Sequence, residues 1–232
     1  MYRHFTWRIA SATKAHVWAL EYRLAPENPF PAALDDAVTA YDWLASKAAT
    51  RELFVMGDSA GAGLVLCLLL RLRDAGTPLP CAAVAMSPWT DLALTGASLT
   101  ENAPSDPMLN ARDLPSLVYC YLAGADPQNP YASPLYGDVS GLPPVLIQVG
   151  SDEILRDDAV RMAEKLKIQN AESRLEIWPR MPHVFSSSRC YLKRVKPLHI
   201  SDSSLQRCGL RSHERVRRER SAIRNTASRR SL

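Results

Sequence analysis

The sequence predicts an α/β fold in which a mostly parallel sheet carries helices on both faces. Two observations lead to this prediction: short apolar runs recur along the chain, and stretches with apolar residues at helical spacing separate them. Glycine and proline clusters mark most of the boundaries between these segments. Strands that alternate with helices favour a parallel sheet with right-handed crossovers.

The N-terminal part predicts a helix, a strand and a second helix. Apolar residues at helical spacing predict a helix from Tyr2 to Thr13, and the apolar run His16–Leu20 predicts a strand. The prolines from Pro26 to Pro31 exclude regular structure between them. A helical period of apolar residues begins after Pro31, and proline is favoured in the first turn of a helix.

Residues 53–70 contain a serine between a predicted strand and a predicted helix. Small residues at Gly57, Ala60 and Gly61 permit the tight, strained reversal that joins the two elements. The pattern G-x-S-x-G is that of a nucleophile elbow, which would expose the Ser59 hydroxyl and place the Ala60 backbone N–H where it can stabilise an oxyanion. The alternative is a glycine-serine turn that only starts a helix.

The rest of the chain predicts three more strands. Apolar runs predict strands at Ala82–Met86, Pro144–Val149 and Arg174–Pro179, and helices are expected at Ala111–Leu122 and Arg156–Gln169. Residues 87–107 are loop-like. Loops after a strand's carboxyl end commonly form the mouth of a pocket, so Trp89 and Leu92 are candidates for contact with substrate, with ordinary core packing as the alternative.

An acid and a histidine each follow a later strand. Asp152 comes just after the strand that ends at Val149, and His183 follows the strand after that. Because the carboxyl ends of parallel strands share one edge, Ser59, Asp152 and His183 are expected to converge there. In that arrangement the serine attacks an acyl group, the histidine transfers the proton and the acid orients the imidazole.

Each of these assignments has an alternative. Asp152 could cap the following helix, in which case Asp157 or Asp158 would be the acid, although both lie inside that predicted helix. His183 could be an ordinary loop residue. The two histidines beyond it lie in a segment without fold signals, which leaves His183 as the candidate base.

The chain resembles the hormone-sensitive-lipase-like esterases of the α/β-hydrolase fold, the bacterial acetyl esterases and carboxylesterases. The resemblance rests on four motifs: EYRLAPENPFPAALDD at 21–36, GDSAG at 57–61, SDEILRDD at 151–158 and MPHVF at 181–185. It implies the triad Ser59, Asp152 and His183 and the hydrolysis of small, short-chain acyl esters. It also implies that the reaction needs neither metal nor cofactor.

Two departures from the family pattern, a missing motif at the start of the chain and an Arg- and Ser-rich segment at its end, lead to further expectations. The family's His-Gly-Gly-Gly oxyanion motif precedes the residues matched here by the start of the chain, and this sequence does not contain it. We therefore expect an N-terminally truncated hydrolase domain over residues 1–185 that lacks the first strands. The alternative function is a non-catalytic, hydrolase-like fragment.

Charge separates the last part of the chain from the rest. Residues 1–183 contain 15 Lys and Arg against 21 Asp and Glu, whereas residues 184–232 contain 13 against 3. Residues 186–232 are therefore expected to be a disordered, Arg- and Ser-rich tail, with polyanion binding as a weaker alternative to esterase function.

The longest apolar run, Leu64–Leu70, is too short to span a bilayer. We expect a cytoplasmic protein that binds neither membrane nor specific nucleic acid.

Overall fold

The computed structural model describes residues 2–169 and 171–185. In chain order the helices are α1 (Tyr2–Thr13), α2 (Ala32–Ala45), α3 (Ala60–Asp74), α4 (Ser98–Glu101), α5 (Leu114–Leu122) and α6 (Arg156–Ile168). The strands are β1 (Phe54–Asp58), β2 (Ala82–Met86), β3 (Val145–Gly150) and β4 (Ser173–Trp178). Single 3₁₀ turns occur at Thr50–Glu52 and Pro134–Tyr136.

The strands form one parallel sheet whose spatial order, β1-β2-β3-β4, is the order of the sequence. Gly57 pairs with Ala85 in the register of β1 and β2, and Ala85 pairs in turn with Ile147 of β3. The fourth strand continues the same direction. All four carboxyl ends therefore lie at one edge of the sheet.

Helices cover both faces of this sheet, as the sequence predicts. The larger core lies between one face and helices α3 and α6, where Leu66, Ile147 and Met162 are almost completely buried. A smaller cluster on the other face contains Phe5 and Ile9 of α1 together with strand residues. Helix α2 packs against the outer side of α3. Burial of these apolar side chains is the main favourable term in the stability of the fold.

The predicted strand His16–Leu20 is wrong. Residues 16–20 form no ladder with any described strand, and a β-strand requires a hydrogen-bonding neighbour. The side chain of Trp18 is 67% exposed, and its ring packs edge-on against Trp43 of α2. The apolar residues of this segment therefore serve packing without strand pairing, since Trp18 contacts Trp43 at the surface and Val17 packs against the cluster that contains Phe5 and Ile9.

Other differences are smaller. Helix α5 begins at Leu114, later than the predicted Ala111, and the short helix α4 interrupts the predicted loop 87–107. None of the helices in the described ranges is both long enough and apolar enough to cross a membrane. The predicted tail, residues 186–232, lies outside the described residues.

Candidate active site

The turn between β1 and α3 has the geometry of a nucleophile elbow. Ser59 stands between strand and helix with φ 55° and ψ −124°, in a region of backbone space that residues other than glycine rarely adopt. A side chain at Gly57 would collide with the carbonyl group of Gly61, so the reversal needs glycine at that position. The tight turn leaves the Ser59 side chain half-buried at the edge of the sheet.

Each of the four strands contributes a polar residue to this edge. Ser59 follows β1, Ser87 follows β2, Glu153 lies in the turn after β3, and His183 lies in the loop after β4. A main-chain hydrogen bond continues the pairing of the first two strands past their ends, since the Ser59 N–H donates to Met86 O at 2.9 Å.

A continuous chain of hydrogen bonds joins three of these side chains. His183 Nε2 lies 2.8 Å from Ser59 Oγ, and His183 Nδ1 lies 2.8 Å from Glu153 Oε2. A carboxylate can only accept, so the proton of the neutral ring sits on Nδ1, and Nε2 accepts from the serine hydroxyl. Glu153 is completely buried and His183 is 5% exposed. The imidazole is thus shielded from water and fixed at both nitrogens.

The carboxylate on the histidine is Glu153 and not Asp152, so the predicted position of the acid is wrong by one residue. Asp152 is half-buried, and its Oδ1 accepts from the hydroxyl of Ser151 at 2.7 Å. The turn points Glu153 inward together with the next two residues, Ile154 and Leu155, which are also buried. Asp152 therefore lies on the outer side of the turn, where it contacts its neighbour rather than the imidazole.

The two alternative acids also lie away from the histidine. Asp157 accepts from the N–H of Ser98 at 2.9 Å. Asp158 accepts from the N–H groups of Thr90 and Asp91 at 2.7 and 2.9 Å. Both carboxylates hold the loop that follows β2 against helix α6.

The second oxygen of Glu153 is held by two donors. Glu153 Oε1 accepts from the Gly150 N–H at 2.5 Å and from the Ser87 hydroxyl at 2.7 Å. The backbone of the same turn is held by Asn102, whose Nδ2 donates to Ser151 O at 2.9 Å and to Glu153 O at 2.8 Å. The acid is consequently fixed at its side chain and at its main chain.

Comparison with known proteins identifies the family of this fold. The family model described as the alpha/beta hydrolase fold matches residues 1–187. The chain belongs to the alpha/beta hydrolase fold family. A crystal structure of an esterase from the bacterial hormone-sensitive lipase family is 41% identical with a TM-score of 0.80, and the match covers 90% of this chain and 68% of that one.

Curated relatives of this alpha/beta hydrolase fold protein include two bacterial enzymes. An acetyl-hydrolase from Streptomyces hygroscopicus is 48% identical over 185 residues, which are 79% of this chain and 62% of the relative. An esterase from Acinetobacter venetianus is 36% identical over 190 residues, with coverage of 81% and 63%. The chain thus spans a little over six tenths of the length of these relatives. Together with the solved structure, they confirm the resemblance to hormone-sensitive-lipase-like esterases.

The predicted oxyanion donor lies at the start of α3. Ala60 is the first residue of that helix and is exposed, and its N–H has no acceptor among the residues that the structure describes. The amino end of a helix attracts negative charge because its N–H groups are unpaired and its dipole is positive there. The position therefore suits an oxyanion that forms on the carbon attached to Ser59 Oγ.

The two predicted substrate contacts lie on the loop after β2. The Trp89 N–H donates to Ser59 O at 3.2 Å, which places its backbone beside the elbow. Leu92 is 7% exposed and belongs to a core cluster with Leu122 and Ala132. Leu92 also borders a shallow apolar groove of about 360 Å³ against α5. Most of its surface is used for packing, so its contact with substrate stays a prediction.

Sequence reasoning missed two residues of this site, Ser87 and Glu153. Ser87 is the first residue after β2, so the rule that carboxyl strand ends meet would have placed it beside Ser59. Glu153 is adjacent to the predicted acid, Asp152.

No group of three or more His, Cys, Asp or Glu within the described ranges is placed to hold a metal ion.

Proposed function

We propose that this protein is a serine esterase that hydrolyses short-chain carboxylic esters through an acyl intermediate on Ser59. The observation that carries the proposal is the hydrogen-bonded chain from Ser59 Oγ through His183 to Glu153, with both contacts at 2.8 Å. An isolated serine hydroxyl is a weak nucleophile. An adjacent base that is oriented by a third group makes it reactive.

In the first half of the reaction, Ser59 Oγ attacks the ester carbonyl carbon and its proton moves to His183 Nε2. The imidazolium that forms is stabilised by Glu153, which already accepts the Nδ1 proton. The carbonyl oxygen becomes an oxyanion, to which the Ala60 N–H can donate. His183 then returns the proton from Nε2 to the alcohol as the C–O bond breaks, which leaves Ser59 acylated.

The second half repeats these steps with water as the nucleophile. His183 Nε2 takes a proton from water, and the resulting hydroxide attacks the acyl carbon. The collapse of the second tetrahedral intermediate breaks the bond to Ser59 Oγ, which recovers its proton from the imidazolium. The products are a carboxylic acid and the free enzyme. None of these proton transfers needs a group other than the three side chains.

The relatives support the choice of substrate. The two curated relatives are an acetyl-hydrolase and an esterase, and the first name implies a substrate that carries a short acyl group. We extend both names to this chain as a proposal, because the chain covers only part of each relative's length.

The proposal is tested on the full chain with 4-nitrophenyl acetate and with a fluorophosphonate that labels activated serines. We expect nitrophenol release, and we expect mass spectrometry to find the label on Ser59. Ser59→Ala removes both signals, whereas Ser46→Ala, at an exposed serine after α2, leaves both unchanged. Absence of release and of label from the folded chain contradicts esterase function and supports the non-catalytic alternative.

Two finer predictions stay untested. A cytoplasmic location is a prediction from the sequence alone, and it is tested by fractionation of cells that produce the protein. Polyanion binding by residues 186–232 predicts retention of the full chain on heparin at low salt, with release as salt increases.

A further inference from the structure

The carboxyl ends of the four strands supply four polar residues, and the proposed mechanism uses only three of them. The remaining residue is Ser87, which follows β2 in the centre of the sheet edge. We propose that Ser87 is a positioning residue whose hydroxyl joins Glu153 to the histidine loop and thereby fixes the orientation of the imidazole. This inference rests on the proposed function, since it concerns the same site.

The Ser87 hydroxyl contacts both of the segments that it would join. Its O–H group donates to Glu153 Oε1 at 2.7 Å, and its oxygen accepts from the Val184 N–H at 3.1 Å. Val184 is the residue directly after His183. The hydroxyl therefore lies between the acid and the backbone that carries the base, and it is 1% exposed.

These contacts determine the direction of the hydroxyl proton. The Val184 N–H occupies the acceptor side of the oxygen, so the O–H bond points toward Glu153. Ser87 and the Gly150 N–H then both donate to Oε1, which leaves Oε2 to accept from His183 Nδ1. Ser87 thus determines which carboxylate oxygen faces the ring and how the carboxylate plane is turned.

The backbone around the hydroxyl is held in an uncommon conformation. Ser87 has φ 48° and Val184 has φ 50°, a region that is particularly unfavourable for a β-branched residue such as valine. Strain of this kind persists where surrounding contacts determine the conformation, and it concentrates at functional sites. Removal of the hydroxyl frees the Val184 N–H from its partner on Ser87 and allows the histidine loop to relax.

A purely structural hydrogen bond is the rival explanation, and two substitutions separate it from positioning. Ser87→Ala and Ser87→Gly both remove the hydroxyl, but glycine also relieves the strain of φ 48°, which alanine keeps. A structural role predicts a larger loss for alanine in both stability and activity. A positioning role predicts unequal stability losses but equal losses of activity.

The kinetic experiment uses the full chain with 4-nitrophenyl acetate. We expect both variants to lower kcat by about tenfold to a hundredfold with KM changed less than about twofold, which is the range that loss of a hydrogen bond to a charged group gives. Ser133→Ala is the matched control. Its buried hydroxyl also donates to an oxygen, Pro127 O, and accepts from a backbone N–H, that of Leu92.

A second measurement does not depend on turnover. Spectra of the protein with ¹⁵N-labelled histidine report which nitrogen of the His183 ring carries the proton. We expect the Nδ1–H form in the unsubstituted chain and in Ser133→Ala, and a mixture of the two tautomers in both Ser87 variants. Ser87→Gly keeps this test available if the alanine variant does not fold.

The outcomes distinguish this inference from the proposed function. If the unsubstituted chain neither releases nitrophenol nor takes the fluorophosphonate label, the proposed function fails, and the tautomer alone decides the role of Ser87. An unchanged tautomer in Ser87→Gly overturns the inference in either case. In an active chain, a kcat for Ser87→Gly within twofold of that for Ser133→Ala also overturns it.

Discussion

Glu153 and Asp158 lie on either side of the start of helix α6, and neither side chain is more than 2% exposed. Their surroundings differ. Glu153 faces an imidazole that can form an ion pair with it when the ring is protonated, whereas Asp158 faces the backbone N–H groups of Thr90 and Asp91. Burial and, to a smaller extent, repulsion from Asp91 raise the pKa of Asp158 to about 7. The backbone hydrogen bonds lower the pKa but do not outweigh these two effects.

The comparison shows that burial of an acid does not reveal what the acid does. The Asp158 carboxylate joins the loop after β2 to helix α6, so its contacts concern stability. One oxygen of Glu153 accepts from Ser87 and Gly150, and the other accepts from His183 Nδ1. Its contacts therefore bear on the proposed reaction. Substitutions that remove only the charge should therefore affect activity at Glu153 and the pH dependence of stability at Asp158.

The largest expected effect is on turnover in Glu153→Gln. The glutamine carbonyl oxygen can replace Oε1, which leaves its NH₂ group against His183 Nδ1 and favours the wrong ring tautomer. We expect kcat to fall by roughly 10³ to 10⁴, the range for loss of the acid in a serine triad, which corresponds to about 4–5.5 kcal/mol. Steady-state hydrolysis of 4-nitrophenyl acetate measures the change.

Asp152→Asn is the matched control for this prediction, because it removes the neighbouring charge without contact to the ring. We expect its kcat to stay within about threefold of the unsubstituted value. A larger loss in Asp152→Asn than in Glu153→Gln would return the role of the acid to the residue predicted from sequence.

The next effect is on stability in Asp158→Asn. Because the folded-state pKa lies near 7, above the ordinary value of 3.8, the folded protein holds a proton that the unfolded chain has released between about pH 4 and pH 7. The unfolding free energy therefore falls as pH rises through this window, by at most about 4 kcal/mol. Asp158→Asn should lose this dependence, and urea denaturation at pH 5 and pH 8 measures it.

Asp157→Asn provides a control of opposite sign. Burial opposes ionisation of Asp157, but hydrogen bonds from the Ser98 N–H and Arg156 prevail and lower its pKa. Its charge stabilises the fold above the unfolded pKa, and that stabilisation is lost as pH falls through the lower folded pKa. A fall in unfolding free energy from pH 5 to pH 8 that is the same in Asp158→Asn as in the unsubstituted protein would refute the raised pKa.

The smallest effect concerns the support of the Glu153 turn. Asn102→Ala removes two hydrogen bonds to the carbonyls of Ser151 and Glu153. We expect the free energy of unfolding to fall by about 1–3 kcal/mol, with kcat lowered only a few-fold, since the side-chain donors to Glu153 remain. Asn110→Ala, at an exposed asparagine, removes one hydrogen bond from the Arg112 N–H and should lower the free energy of unfolding by less than about 1 kcal/mol with kcat unchanged. Equal losses in both variants would show that the support is not specific.

Much of the fold could be predicted from the sequence because local patterns and tertiary contacts agree. The helix Tyr2–Thr13 and the strand Ala82–Met86 have the predicted bounds. The predicted strand at residues 16–20 is wrong for a physical reason. Its apolar pattern satisfies the local requirement for a strand, but strand formation also depends on a pairing neighbour, which local sequence does not specify.

The candidate site could be predicted as far as strand ends determine it. Topology brings the residues after β1 and β4 together, so Ser59 and His183 lie in contact. The choice between Asp152 and Glu153 depends on the direction in which a tight turn points adjacent side chains, and both carboxylates satisfy the same sequence rule. In the structure, Glu153 is buried with Ile154 and Leu155 and contacts His183 Nδ1, and these two observations separate it from Asp152.

The spatial order of the strands, which repeats their order in the chain, has a consequence for synthesis. As the polypeptide emerges from the ribosome, the hydroxyl of Ser59 is made long before the imidazole of His183, and the last strand must dock before the two meet. A nascent chain therefore carries an unreactive alcohol. The proposed nucleophile therefore gains its base only after β4 has joined the sheet and His183 has reached Ser59.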